Sequence, residues 1–292
     1  MHILITGATG FIGQRLIEHL GNGHDITVMS RSAIEGIGRI KVRQIIGSFD
    51  QPDTLRKLDS IPVVDAVIHL AAVTGGSDEE EALAVNVAGT RRLYRYLLDH
   101  GCRKFITASS IAAAGVLDPA FTPLELPIQD DHPCLATDAY GLSKAMVEEL
   151  TRYFHRTSPD TDFINVRLGA VVPDESFEQP KIDTETELSV PYVELGRVYA
   201  SDVVDAFVRM LEAPFQVRCI TCNLVAPDSG AAIPTIELLW SWYGVQTNRD
   251  KLKGYMGKEN TYKPLYAINR LESEFGIIPK KRLRPLIDSA ME

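Results

Sequence analysis

HILITGATGFIG, residues 2 to 13, is a short β-branched apolar run that breaks into glycines at positions 7, 10 and 13. A helix follows, with Ile12, Leu16, Ile17 and Leu20 as its buried stripe, and it stops at Gly21-Asn22-Gly23. A strand feeding a glycine-rich turn and then a helix brings free backbone N–H groups and the positive end of the helix dipole to one point, where a pyrophosphate can bind. Glycine lets it come close, because no Cβ intervenes. The spacing is G-x-x-G-x-x-G rather than the commoner G-x-G-x-x-G. This opening predicts a dinucleotide site on Gly7, Gly10 and Gly13.

Working outward, DITVMS (25–30) is a second strand that ends at Ser30-Arg31-Ser32. An acid about 20 residues past the glycines would bond the adenosine ribose of NAD, whereas arginine accommodates the additional phosphate of NADP. No acid is present, so Arg31 points to NADP(H), with NAD the alternative. Strands are expected at 42–46 and 63–70, and their alternation with helices predicts a parallel, doubly wound α/β sheet. His69 reads as a packed strand-end residue. The acidic run 78–81 opens a helix near Ser77 that continues through Asn86 to Leu98 and closes at Gly101, its acids suiting the positive end of the dipole. A fifth strand, KFITASS (104–110), carries Ser109 and Ser110 to the carboxyl edge, where ligands of open α/β sheets gather. One of these hydroxyls is placed to bond a substrate oxygen. Residues 117–137, with four prolines, read as a long loop over the site.

The stretch TDAYGLSKAMVEEL (137–150) places Tyr140 and Lys144 on one face of an amphipathic helix. An ammonium beside a phenol favours the phenolate, which predicts a tyrosine pKa drawn down from about 10 and makes Tyr140 a candidate general acid/base.

With 292 residues, 45% of them hydrophobic, the chain has enough apolar side chains for a full core. Its 39 acidic against 30 basic side chains, a formal charge of -9, leave no broad basic footprint for nucleic acid or an anionic membrane. No apolar run approaches the ~20 residues of a membrane span, and Ile3 to Ile5 is too short for the core of a signal peptide. A cytoplasmic protein is expected. Cys219 and Cys222 form a C-x-x-C, but on a strand such residues face opposite sides, so both read as reduced core residues. The seven histidines show no metal-ligand spacing.

TGATGFIG (6–13), HLAA (69–72), NVAGT (86–90), SSIAAAG (109–115) and YGLSK (140–144) occur in one order. Together with VRLGAVVP (166–173), RVYASDVVDAF (197–207), CNLV (222–225) and NRLESEFGIIPKK (269–281), they resemble the extended short-chain dehydrogenase/reductase family, the nucleotide-sugar epimerase/dehydratase group. The resemblance implies that Gly7, Gly10 and Gly13, with the amides of Phe11 and Ile12, hold the pyrophosphate. Leu70, Ala71 and Ala72 would line the adenosine side, Asn86 would support the site, and Lys144 would also reach the nicotinamide ribose. It implies a catalytic set of Ser110, Tyr140 and Lys144.

Departures narrow the chemistry. The Asp-Glu pair of sugar dehydratases is replaced by Ile111 and Ala112, and the cysteine of GDP-sugar epimerase-reductases by Ala112. Ala114 stands where a tyrosine is usual, which implies more room over the nicotinamide. Ser48, with Asp50 two places on, stands where an acid commonly meets adenine. The expected activity is hydride transfer at a carbinol or ketone carbon of a small molecule, a nucleotide sugar above all. Alternatives are an NADP-dependent reductase of a small ketone and a non-catalytic NADP-binding sensor. The expected division is a Rossmann-like domain from 1 to 167 with 199–225, and a smaller substrate lobe of 168–198 with 226–292. The resemblance implies that the helices beginning near Ser77 and Asp138 could pair subunits in a homodimer.

Overall fold

The computed structural model describes residues 1–34, 40–76, 78–244 and 252–284. Seven parallel strands form the central sheet: β1 (His2–Thr6), β2 (Asp25–Ser30), β3 (Val42–Ile46), β4 (Ala66–His69), β5 (Lys104–Ser110), β6 (Asp162–Leu168) and, after the short pair β7 (Ala170–Val172) and β8 (Arg197–Tyr199), β9 (Arg218–Leu224). Their order is β3-β2-β1-β4-β5-β6-β9. It reverses between β1 and β4, so the carboxyl ends of these two strands flank the crevice where doubly wound sheets take their ligands. The fourth strand is shorter than its apolar run suggests, because Pro62 precedes an exposed Val63 and the pairing with β1 begins only at Ala66.

Apolar clusters cover both faces, as a parallel sheet requires. On one face α1 (Phe11–Leu20) and α7 (Ala200–Glu212) pack over Ile3, Ile5, Ile68 and Ile106. On the other, α4 (Thr90–Asp99) and α5 (Ala139–Thr157) cover Leu4, Val67, Phe105 and Phe163. Cys222 belongs to the first cluster and Cys219 packs against the second, the opposite facing that strand geometry dictates. Between β3 and β4 lies the short α2 (Pro52–Arg56), with proline in its first turn.

After β4, α3 (Glu79–Glu81) starts on Asp78, whose carboxylate accepts the Glu81 amide at 2.7 Å. The expected start near Ser77 lies outside the described residues. Instead of continuing as a plain helix, the chain widens into a π-helical segment from Ala82 to Gly89 before α4. Such segments are rare and frequently mark functional positions; this one carries Asn86.

A further cluster continues past the carboxyl ends of β5 and β9 and gathers Ile111, Val116, Ile128, Tyr192, Leu238 and Tyr266. Two helices, α6 (Pro191–Glu194) and α8 (Thr235–Tyr243), contribute to it; α9 (Asn269–Phe275) returns to the sheet. Ala114 is 1% exposed within this cluster. Of the expected substrate lobe, residues 245–251 and 285–292 lie outside the described residues. No helix among the described residues is long and apolar enough to cross a membrane.

Candidate active site

The glycine turn sits at the carboxyl end of β1. Gly7 has φ +72°, and a Cβ there would lie 2.7 Å from the Ala71 nitrogen. A Cβ on Gly13 would lie 2.4 Å from the Gly7 carbonyl oxygen. The turn therefore folds flat against the loop after β4 only because these side chains are absent. Gly10 caps α1 without a side-chain hydrogen bond, which leaves first-turn amides, Phe11 and Ile12 among them, with no intrahelical partner.

A polar relay pins this cradle from beneath. The Thr6 hydroxyl accepts the Ala71 amide at 3.2 Å and shares a 2.6 Å hydrogen bond with His69 Nδ1, whose Nε2 meets the Thr90 hydroxyl at 2.9 Å. Burial, with a smaller contribution from Lys144, lowers the His69 pKa to about 3, so the imidazole is neutral and structural.

Beside the turn opens a cavity of about 460 Å³ bordered by Gly7, Gly10, Ser30, Arg31, Phe49, Asp50, Leu70, Ala71 and Ala72. Ser48 borders it too, so both positions considered for the adenine contact are present. The Ser30 hydroxyl donates to the Ser32 carbonyl at 2.7 Å. An uncapped helix start, a turn cleared of Cβ atoms and a mixed apolar and polar cavity fit the pyrophosphate and adenosine of a dinucleotide. Phe11, Ile12 and Gly13 form the helix start beside the cavity. Asn86 does not border it but holds the backbone of Val73, which does: its amide group exchanges hydrogen bonds with Val73 at 2.8 and 2.9 Å and donates to the Ser143 hydroxyl at 2.9 Å. Ser143 in turn donates to the Tyr140 carbonyl at 2.8 Å.

Two strands away, β5 delivers its serines to different partners. Ser109, 2% exposed, donates to Glu148 Oε1 at 2.7 Å. Ser110 accepts the Ala112 amide at 3.1 Å, and its side chain is close enough to the Tyr140 hydroxyl to draw that phenol's pKa down. The meeting depends on how closely α5 approaches. Asp138 caps its start by accepting the Gly141 amide at 2.7 Å, and a Cβ on Gly141 would lie 2.6 Å from the Ala112 carbonyl. Lys144, one turn along, lies with its Nζ 5.6 Å from the centre of the Tyr140 ring and donates to the Ala108 carbonyl at 2.8 Å.

The expected depression of the tyrosine pKa by Lys144 does not occur in this arrangement. Burial pushes the Tyr140 phenol up, the nearby Ser110 side chain draws it partly back, and Asp138 pushes it up again. The lysine itself gives way: burial lowers its pKa to about 8, against the pull of Glu148. An ammonium among apolar neighbours is costly, and a carbonyl is a weaker counterpart than a carboxylate.

The sequence reading missed Glu148 and Arg167, which form a buried ion pair beneath the site at 2.8 Å. The signal was available: an acid on the Lys144–Val147–Thr151 face of a buried helix, and an arginine inside the apolar strand FINVRL.

A sequence profile of the NAD dependent epimerase/dehydratase family matches residues 3–184. A UDP-glucose 4-epimerase of Pisum sativum is 29% identical, over 94% of this chain and 90% of its own length. The structure of a UDP-glucose 4-epimerase from Bifidobacterium longum in complex with NAD+ and UDP aligns with TM-score 0.70 at 18% identity, covering 97% of this chain and 95% of that one. A short-chain dehydrogenase/reductase superfamily protein from Agrobacterium tumefaciens with bound NAD gives 0.66 at 22% identity, covering 97% and 94%. The glycine turn at β1, the carboxyl-edge site and a family match extending over more than half the sequence agree: the chain belongs to the NAD dependent epimerase/dehydratase family.

Proposed function

We propose that the protein is a nicotinamide-dependent oxidoreductase or epimerase acting at a carbinol or ketone carbon of a nucleotide sugar. The observation that carries this reading is the convergence of the Ser110 and Tyr140 side chains at the carboxyl end of β5, with Lys144 buried one turn behind, its Nζ 5.6 Å from the Tyr140 ring centre. Bound across the glycine turn, the cofactor supplies or accepts hydride. Ser110 and Tyr140 together hold the oxygen of the reacting carbon. With a raised pKa, Tyr140 is a phenol at neutral pH and donates its proton as that oxygen gains charge. In the oxidative direction the substrate hydroxyl gives its proton to the Tyr140 phenolate that the reductive step leaves. Lys144, charged below about pH 8, steadies the phenolate formed in between. Performed once this is reduction or oxidation; performed in both directions on a substrate that turns over, it is epimerisation. Ile111 and Ala112, 3% and 2% exposed, offer no acid/base pair for dehydration.

Purified protein incubated with UDP-glucose, UDP-galactose and a panel of keto-sugars and simple ketones, with NAD+, NADP+ and their reduced forms, tests the proposal. Interconversion or a change in nicotinamide absorbance supports it. Cofactor binding without turnover of any of these compounds favours the sensor reading instead.

NADP(H) is the cofactor we favour, because Arg31 borders the adenosine cavity and Ser30 to Ser32 offer no acid to a ribose. Titration of intrinsic fluorescence with NADPH and NADH decides; tighter binding of NADH removes the claim. We also expect a homodimer through the outer face of α5, where Met146 and Tyr153 are 41% and 45% exposed; light scattering reads its mass.

A further inference from the structure

Glu148 lies one turn beyond Lys144 on the buried face of α5, and its side chain is fully buried. Its carboxylate accepts Nε and Nη2 of Arg167 at 2.8 and 2.9 Å and the Ser109 hydroxyl at 2.7 Å. Arg167 also donates to the His132 carbonyl at 2.9 Å. The elements joined in this way are those that carry the candidate catalytic groups. Ser109 precedes Ser110 on β5, Lys144 and Tyr140 stand on α5, and Leu168, next to Arg167 on β6, pairs with Ser110. A buried ion pair is seldom more stabilising than two well-packed apolar side chains, so stability alone does not account for one here.

We propose that Glu148 is a positioning residue for the Ser110–Tyr140–Lys144 site: its carboxylate clamps Ser109 and Arg167 so that Ser110 and Lys144 are held against Tyr140, and its charge keeps an ammonium on Lys144. The proposal deepens the catalytic reading above and rests on it for the link to turnover.

The groups around Lys144 leave this task to Glu148. From its own helix come Tyr140, uncharged, and Glu148; from β4 comes His69, which burial keeps neutral. β5 offers the Ala108 carbonyl and the π-helical segment the uncharged Asn86. From β6, Arg167 is already paired with Glu148, and Arg152 reaches the same carboxylate at 3.5 Å from the helix surface. Cys134, in the loop before α5, touches Glu148 and Arg167 with a thiol that burial keeps protonated.

The test follows Lys144 by NMR of protein carrying isotope-labelled lysine, together with the pH dependence of kcat. In Glu148→Gln the Lys144 titration moves down by roughly one pH unit, and the alkaline limb of kcat moves with it. Glu148→Asp keeps the charge, and its titration stays near that of the wild type. The pairwise replacement Glu148→Gln/Arg167→Met removes both buried charges together, guards against misfolding of the single variant, and shifts the titration down by less. An unchanged Lys144 titration in Glu148→Gln and in the double variant overturns the proposal. So does an equal shift in Glu148→Asp, which marks a purely structural role. The titration needs no substrate, so it decides this proposal even where no turnover is found and the catalytic reading fails.

Discussion

At the carboxyl end of β1 the candidate cofactor site is built from backbone, whereas at the end of β5 the candidate catalytic site is built from side chains. The cradle depends on atoms that are missing: Cβ atoms on Gly7 and Gly13, and a cap on α1. The candidate catalytic corner depends on atoms that are present: Ser109 on β5 bonded to Glu148, Asp138 capping α5, and Glu148 paired with Arg167 on β6. The first tolerates no added atom; the second tolerates no lost partner. That contrast makes the two ends separable by mutation.

The sharpest separation lies within the catalytic corner. Ser110→Ala is expected to lower kcat by about 10²- to 10³-fold, as loss of a donor to a charged transition-state oxygen does. Its neighbour behaves differently: Ser109→Ala should cost less than about tenfold in rate but about 1–3 kcal/mol in stability, because a buried carboxylate loses a donor. Steady-state rates and urea denaturation of the two variants check this. Should Ser109→Ala silence turnover and Ser110→Ala spare it, the roles are reversed.

At the cradle, Gly13→Ala forces a backbone shift against the Gly7 carbonyl, at a cost of about 1–3 kcal/mol. Dinucleotide affinity should fall about tenfold or more, because 1.4 kcal/mol is a factor of ten. Fluorescence titration reads it, and unaltered affinity means that the dinucleotide binds elsewhere.

Much of the cradle was legible in the sequence, and the reason is physical. A turn cleared of side chains announces itself as glycines at short spacing, and a buried parallel strand as a run of β-branched residues. Tyr140 and Lys144 were legible because helical period alone brings them to one face. Glu148, four residues past Lys144, lay within the same reading, but the groups that hold it were not legible. Ser109 meets Glu148 across 39 positions and Arg167 meets it across 19, separations that no local pattern encodes. The π-helical segment was likewise hidden, because its residues read as an ordinary amphipathic stretch. The expected lowering of the Tyr140 pKa failed for a related reason: spacing gives proximity, but burial decides which charged form survives.

The cradle is not pure backbone, and pH reads the exception. His69, folded with a pKa of about 3 against 6.5 unfolded, is neutral between Thr6 and Thr90. The unfolded chain binds the proton more readily, so stability is complete above pH 6.5 and is lost as pH falls from there toward 3. Each unit costs at most about 1.4 kcal/mol. Urea denaturation at pH 7 and pH 5 should show the decline, and His69→Gln should flatten it; an equal decline in the variant assigns the acid sensitivity to other groups.

Replacing Tyr140 by phenylalanine removes one oxygen and leaves the packing of α5, the glycine turn and Lys144 in place. The most direct measurement is turnover of the best nucleotide-sugar substrate by Tyr140→Phe beside a cofactor titration of the same sample. Turnover is predicted to fall by about 10²- to 10⁴-fold with cofactor affinity kept within about twofold. Near-wild-type turnover, with cofactor bound as before, would contradict the assignment of the proton to this hydroxyl.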